Sequence, residues 1–226
     1  MALLGRAYLL RVYAPGLKAE AQSIPALVHA QLGAQNAQYV PITGISPSMR
    51  EAIVAIEDRR FYHHPGIDPV GTLRAVWINL WNRHLDQGGS TLEEQLVKRA
   101  IVHNDRTIRG KLRTMALAWA TDQEFSKQQV LELYLNEAYY GQGAYGVASA
   151  ARIYFGTDAA NLTLQQAAFL AALPQAPSIY GANPRSAVVI QRVGTVLADM
   201  KQSGYITIAQ QQSAERIPLV LALPNP

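Results

Sequence analysis

The sequence predicts a mainly α fold, and three observations point there. Apolar residues recur at helical spacing along most of the chain, serine or threonine caps precede several of these runs, and strand signal is confined to one short stretch. Met1 to Tyr13 is apolar but interrupted by Arg6 and Arg11, short of the about 18 apolar residues that span a bilayer. It reads as an abbreviated or remnant membrane anchor. Gln38-Tyr39-Val40-Pro41-Ile42 carries the strand signal. Ser46 with Pro47 supplies an N-cap and first helical residue for a helix with Met49, Ile53 and Ile56 on one side. Leu73, Val76, Trp77, Leu80 and Trp81 form a second amphipathic stripe, flanked by Arg74 and Arg83.

Gly88-Gly89-Ser90-Thr91 then precedes Leu92-Glu93-Glu94-Gln95-Leu96-Val97-Lys98-Arg99. Ser90 and Thr91 each have a glutamate three residues on, the capping-box spacing. A helix that starts after a glycine pair turns backbone N–H groups outward, a disposition that suits an anion. Ser126 with Gln129, Thr163 with Gln166 and Thr207 with Gln210 repeat the capping signature. Val189, Val193, Val196, Leu197 and Met200 mark a late helix that Gly204 terminates, and the proline-bearing tail from Ile217 is extended. The expected organisation is an N-terminal segment over 1–44, a main domain over 45–205, and a helix with an extended tail over 206–226.

Composition narrows the function classes. Apolar residues make up 49% of the 226 residues and charged residues 16%, leaving room for exposed apolar surface. The net charge of +4 favours anionic partners. The absence of cysteine excludes disulfides, thiol catalysis and thiolate metal sites. Nucleic acid is disfavoured, because the basic run Lys98, Arg99, Arg106, Arg109, Lys111 and Arg113 lacks interleaved aromatic residues for base stacking. His63 and His64 are adjacent and unsuited to sharing a metal, and no His-x-x-x-His pair appears, so no dedicated metal cage is expected.

Glu57 stands at the end of an amphipathic run, beside Asp58 and ahead of Phe61. It suits a general base, and equally a salt bridge to Arg59 or Arg60. The Trp77 and Trp81 stripe suits either core packing or an interfacial helix, and its flanking arginines fit the second.

The runs Glu57-Asp58-Arg59-Arg60-Phe61-Tyr62-His63-His64-Pro65-Gly66 and Gly88 to Lys98 resemble the first two signature motifs of the peptidoglycan glycosyltransferases. These are the polymerase domains of class A penicillin-binding proteins and the monofunctional murein polymerases. The family patterns read roughly E-D-x-x-F-x-x-H-x-G and G-G-S-T-x-T-Q-Q-x-x-K. Three further blocks follow in order: the basic stretch Arg106 to Arg113, Lys127 to Gly146, and Leu162 to Pro184.

The resemblance implies a lysozyme-like globular lobe with a smaller membrane-facing lobe. It also implies polymerisation of lipid-linked disaccharide-pentapeptide into β-1,4 glycan with inversion, on the outer (periplasmic) face of the bacterial cytoplasmic membrane. By the same resemblance Glu57 is the general base and Asp58 its support. Phe61, Ser90, Thr91, Gln95, Lys98 and Arg106 bind substrate, the last five at the diphosphate. No cofactor is required, and a loosely held divalent cation, magnesium or manganese, is compatible with the substrate diphosphate. The implied partners are the lipid-linked precursor, nascent glycan, the membrane surface and a transpeptidase, with no nucleic acid.

The pattern is broken at three points. Ungapped alignment puts Thr114 where the family has its second catalytic glutamate, Gly110 replaces a usual basic residue, and Glu94 replaces the first glutamine of the second motif. Thr114 favours a rival reading, a catalytically impaired homologue that binds precursor or glycan as a scaffold. A third reading, a lysozyme-type hydrolase using Glu57 as acid, leaves the basic cluster without a purpose.

Overall fold

The protein is seen in a computed structural model that describes residues 2–71, 89–103, 105 and 107–223, with side chains from residue 16 onward. The Trp77 and Trp81 stripe, Gly88 and Arg106 lie outside the described residues. Among those described, every regular element is helical, and the one β-type pairing is an isolated bridge between Tyr139 and Tyr145. The mainly α class is therefore the observed one. No helix among the described residues is long and apolar enough to cross a membrane.

The helices are α1 (Ala2–Ala34), α2 (Pro47–Glu57), α3 (Leu92–Val97), α4 (Ile108–Glu124) and α5 (Lys127–Glu137). They continue with α6 (Gly146–Phe155), α7 (Leu164–Ala172), α8 (Pro177–Ala182), α9 (Ala187–Gln202) and α10 (Ile208–Arg216). The chain divides into two compact units, one of Met1–Val28 with Arg60–Tyr134 and one of His29–Arg59 with Leu135–Pro226.

In the second unit, α2, α7 and α9 pack on one another. Their sequences explain this. Met49, Ala52 and Ile53 of α2, Phe169 and Leu170 of α7, and Val196, Leu197 and Met200 of α9 are all buried. Burying each large apolar side chain contributes roughly 1.5–3 kcal/mol. Ser46 caps α2 by accepting the Met49 N–H, and its own N–H reaches the Ala159 carbonyl at 2.9 Å. Thr163 and Thr207 make full capping boxes with Gln166 and Gln210, as their spacing predicts. After α10 Ile217 is extended, and further along Ala222 N–H donates to Tyr154 O at 2.8 Å and Arg185 to Leu223 O at 2.9 Å.

The strand expected over residues 38–42 is absent. The N–H and carbonyl of Val40 are taken by the side-chain amide of buried Asn136, at 2.9 and 2.8 Å, in place of a neighbouring strand. The segment assigned to 1–44 as a possible anchor is in large part the helix α1, which buries Ala21, Ile24, Val28 and Leu32 at i, i+3, i+7 and i+11.

In the first unit α3 packs on α4. Gly66 joins them to the first motif. Its φ is +78°, and a Cβ there would stand 2.4 Å from the Ala118 carbonyl oxygen and 3.0 Å from the Trp119 Cα. The chain passes so close to the α4 backbone that only glycine fits. Gly66→Ala is expected to lower stability by about 3 kcal/mol, from the strained conformation and a backbone clash together. Thermal unfolding should show a midpoint lowered by roughly 6–12 °C for a chain of this size. An unchanged midpoint would contradict the close approach.

Candidate active site

In the second unit, α2 ends at Glu57, and the Asp58 N–H closes the helix on the Val54 carbonyl. Asp58 is buried and Glu57 half-buried. The chain just after them is anchored, because Arg59 donates to Asp199 of α9 at 2.6 Å. In the first unit Arg60 pairs with Asp68 at 3.6 Å. The two arginines that could have served Glu57 as salt-bridge partners are thus each bound to another carboxylate.

The rest of the predicted set lies in the first unit, apart from Arg106, which is outside the described residues. Phe61 opens a 3-10 turn, Phe61–His63, and is fully buried. The rings of Tyr62 and His64 stand against it at 5.0 and 6.4 Å, and the Lys127 ammonium lies 4.8 Å from its centre. Phe61 is therefore a packing platform. His64 is extended and buried, so the two histidines do not share a helix, and Tyr62 and His63 are exposed.

Thr91 is the N-cap of α3. Its hydroxyl accepts the Glu94 N–H at 3.1 Å and donates to the Gly66 carbonyl at 2.7 Å. That one hydroxyl ties the second motif to the first. Ser90 is half-buried beside it. Gln95 accepts from the Tyr134 hydroxyl at 3.2 Å, and the Arg99 guanidinium covers the same tyrosine ring at 4.6 Å. Lys98 is exposed at the start of a π-helical turn, Lys98–Val102, that His103 ends in the left-handed region at φ 52°. A π turn spends an extra residue per turn and re-aims the side chains on it, and such turns gather at functional sites.

The two acidic residues of the second motif take different partners. Glu94 is buried and accepts from Lys111 of α4 at 2.6 Å. Thr114, one turn beyond Lys111, is also buried, and its hydroxyl returns to the Gly110 carbonyl of its own helix at 2.9 Å. Gly110 sits under the α4 cap, where Thr107 accepts its N–H at 3.0 Å. A Cβ on it would come within 2.6 Å of the Asp105 carbonyl oxygen. The side chain usual at that position has no room here.

Glu93 is fully buried and was not singled out in the sequence. It binds the Lys127 ammonium at 2.5 Å, and the same ammonium binds Asp122 at 2.8 Å. A His64 ring nitrogen lies within 4.8 Å of its carboxylate. Burial pushes the Glu93 carboxyl above the usual carboxylate range, against the Lys127 hydrogen bond and charge, its own backbone N–H, and His64. A cation already sits on this carboxylate, and it is a lysine. The signal that could have found Glu93 was present: the family pattern has threonine at that position of the second motif, and this chain has a carboxylate.

The transglycosylase family matches residues 26–201. Penicillin-binding protein 1A of Aquifex aeolicus is 39% identical over 217 residues, covering 96% of this chain and 30% of that protein. Its namesake in Escherichia coli is 41% identical over 198 residues, covering 84% and 23%. That of Rickettsia felis is 40% identical over 186 residues, covering 81% and 24%. The chain thus spans less than a third of the length of these relatives.

Proposed function

Because the chain belongs to the transglycosylase family, we propose that it is a peptidoglycan glycosyltransferase acting on lipid-linked disaccharide-pentapeptide at the outer face of the bacterial cytoplasmic membrane. The observation that carries the reading is the Glu57–Asp58 pair at the end of a capped and buried helix. Glu57 takes the proton of the acceptor sugar 4-hydroxyl. The oxygen attacks the anomeric carbon of the lipid-linked chain, the bond to the diphosphate breaks, and the configuration inverts. Lys98 and Arg106 meet the charge that develops on the departing diphosphate, where fixed cations lower the barrier most. The membrane surface, a transpeptidase domain or partner, and a divalent cation carried by the diphosphate belong to the same proposal. Turnover of radiolabelled precursor by the purified chain tests it, and a chain that makes no polymer is not a polymerase.

A second reading, a scaffold that holds precursor or glycan without turning it over, is favoured by Thr114 and its hydrogen bond back to Gly110. The two readings part at Glu94. Glu94 on α3 and Thr114 on α4 belong to packed helices, with Lys111 bridging from the turn before Thr114. If Glu94 stands in for the lost glutamate, Glu94→Gln should damage activity and added Thr114→Glu should restore it. The double-mutant cycle should then depart from additivity by roughly 0.5–3 kcal/mol. An inactive wild type that Thr114→Glu alone switches on would decide for the scaffold.

A further inference from the structure

Resting on the transferase reading, we infer that Glu93 is a positioning residue for the reaction, acting through Lys127. Its hydrogen bond, with an ion pair from Asp122, holds the Lys127 ammonium so that N–H capacity remains for an oxygen of the lipid diphosphate-linked substrate.

A fully buried carboxylate is costly, and replacing a buried ion pair as a whole by neutral side chains of similar size is often as stable or more so. Packing alone therefore gives no reason for Glu93. Its surroundings do. An ammonium has three donors and no acceptor. Glu93 takes one donor at 2.5 Å, and Asp122 forms an ion pair with the same nitrogen at 2.8 Å.

The ring of Phe61 lies under the same nitrogen at 4.8 Å. Phe61 is itself fully buried, so the platform is rigid. A lysine on a free stem would lose several rotors each time it met a ligand; this one has lost them already. Lys127 keeps 21% of its side chain exposed, while Glu93 is at 0% and Asp122 at 13%. The cation is thus more exposed than either carboxylate, and Glu93 has no exposure at all. One oxygen of Glu93, Oε2, is buried without a hydrogen-bond partner. A His64 ring nitrogen lies within 4.8 Å of that carboxylate.

The experiment uses the whole chain and the polymerisation of lipid-linked precursor. Variants are Glu93→Gln, Glu93→Asp, Lys127→Met and the double variant Glu93→Gln with Lys127→Met. The 15N resonance of the Lys127 ammonium is followed alongside. Glu93→Gln is expected to lower kcat tenfold or more with KM within twofold, both measured on the folded fraction. Glu93→Asp keeps the charge and should recover part of the rate. The double variant should be no slower than Lys127→Met alone. A slowly exchanging Lys127 ammonium signal should be present in the wild type and broadened in Glu93→Gln.

Unchanged kcat in Glu93→Gln overturns the inference, as do losses that simply multiply in the double variant. So does a Lys127 signal indifferent to Glu93. Should Glu93→Gln fail to fold, Glu93→Asp decides: its shorter reach should lower kcat, and full activity refutes the role. A wild type without turnover sinks the transferase reading itself and this inference with it, whereas an active wild type with an indifferent Glu93 sinks this inference alone.

Discussion

Glu57→Gln removes turnover by about 10²–10⁴ in rate, the usual worth of a positioned general base, while precursor binding stays within a few-fold. The change keeps the shape of the side chain and removes only the proton acceptor. Its place explains why little else should move. Glu57 closes α2 after a helix whose core residues Met49, Ala52 and Ile53 are buried, and the change leaves those contacts in place. Arg59 and Arg60 keep Asp199 and Asp68 whether or not Glu57 is ionised. Single-turnover rates and equilibrium binding, measured on one preparation, check both halves. Activity above a tenth of wild type would take the base role away from Glu57.

Lys98→Ala weakens binding of a diphosphate-bearing glycolipid by about ten- to a hundredfold, since a charge-assisted contact is worth roughly 1.5–3 kcal/mol. The loss should be larger at low salt, because an exposed cation is screened as ionic strength rises. Lys98 is exposed on the π turn while neighbouring Arg99 lies over Tyr134, so of the two Lys98 is the cation in open solvent. Removal of an exposed lysine should leave stability nearly untouched. Lys201→Ala, in the last turn of α9, is the control and should change nothing. Equal affinity of Lys98→Ala and wild type across salt concentrations would refute the placement.

What the sequence made legible was whatever rests on local rules. Ser46, Thr163 and Thr207 cap helices where their spacing says they should, because a cap is decided within four residues. The late helix over Ala187–Gln202 and its stop at Gly204, at φ +78°, were likewise readable. The second motif starts its helix at Thr91, as expected, though Thr91 also reaches Gly66, and that bond joins residues 25 positions apart. No local rule carries it.

The misses have the same origin. Residues 38–42 carry β-branched and aromatic side chains, but strand formation needs a partner, and the partner offered is the Asn136 amide. The α1 stripe Ala21, Ile24, Val28 and Leu32 is regular, but Pro15 and Pro25 in the same run disfavour a continuous helix on local rules. Glu93 read as one more first-turn carboxylate at a helix start. Its burial, and its hold on a lysine 34 residues away, are tertiary facts. Thr114 is the reverse case: the sequence flagged it, and its hydroxyl is turned back onto Gly110.

The measurement that bears most directly on the transferase reading is incubation of the purified chain with radiolabelled lipid-linked disaccharide-pentapeptide in detergent or bilayers. The account predicts a ladder of glycan polymer that a β-1,4-cleaving muramidase digests, formed by the wild type and not by Glu57→Gln. Precursor bound but recovered unchanged, at wild-type levels of folded protein, would contradict it and leave the chain a binding scaffold.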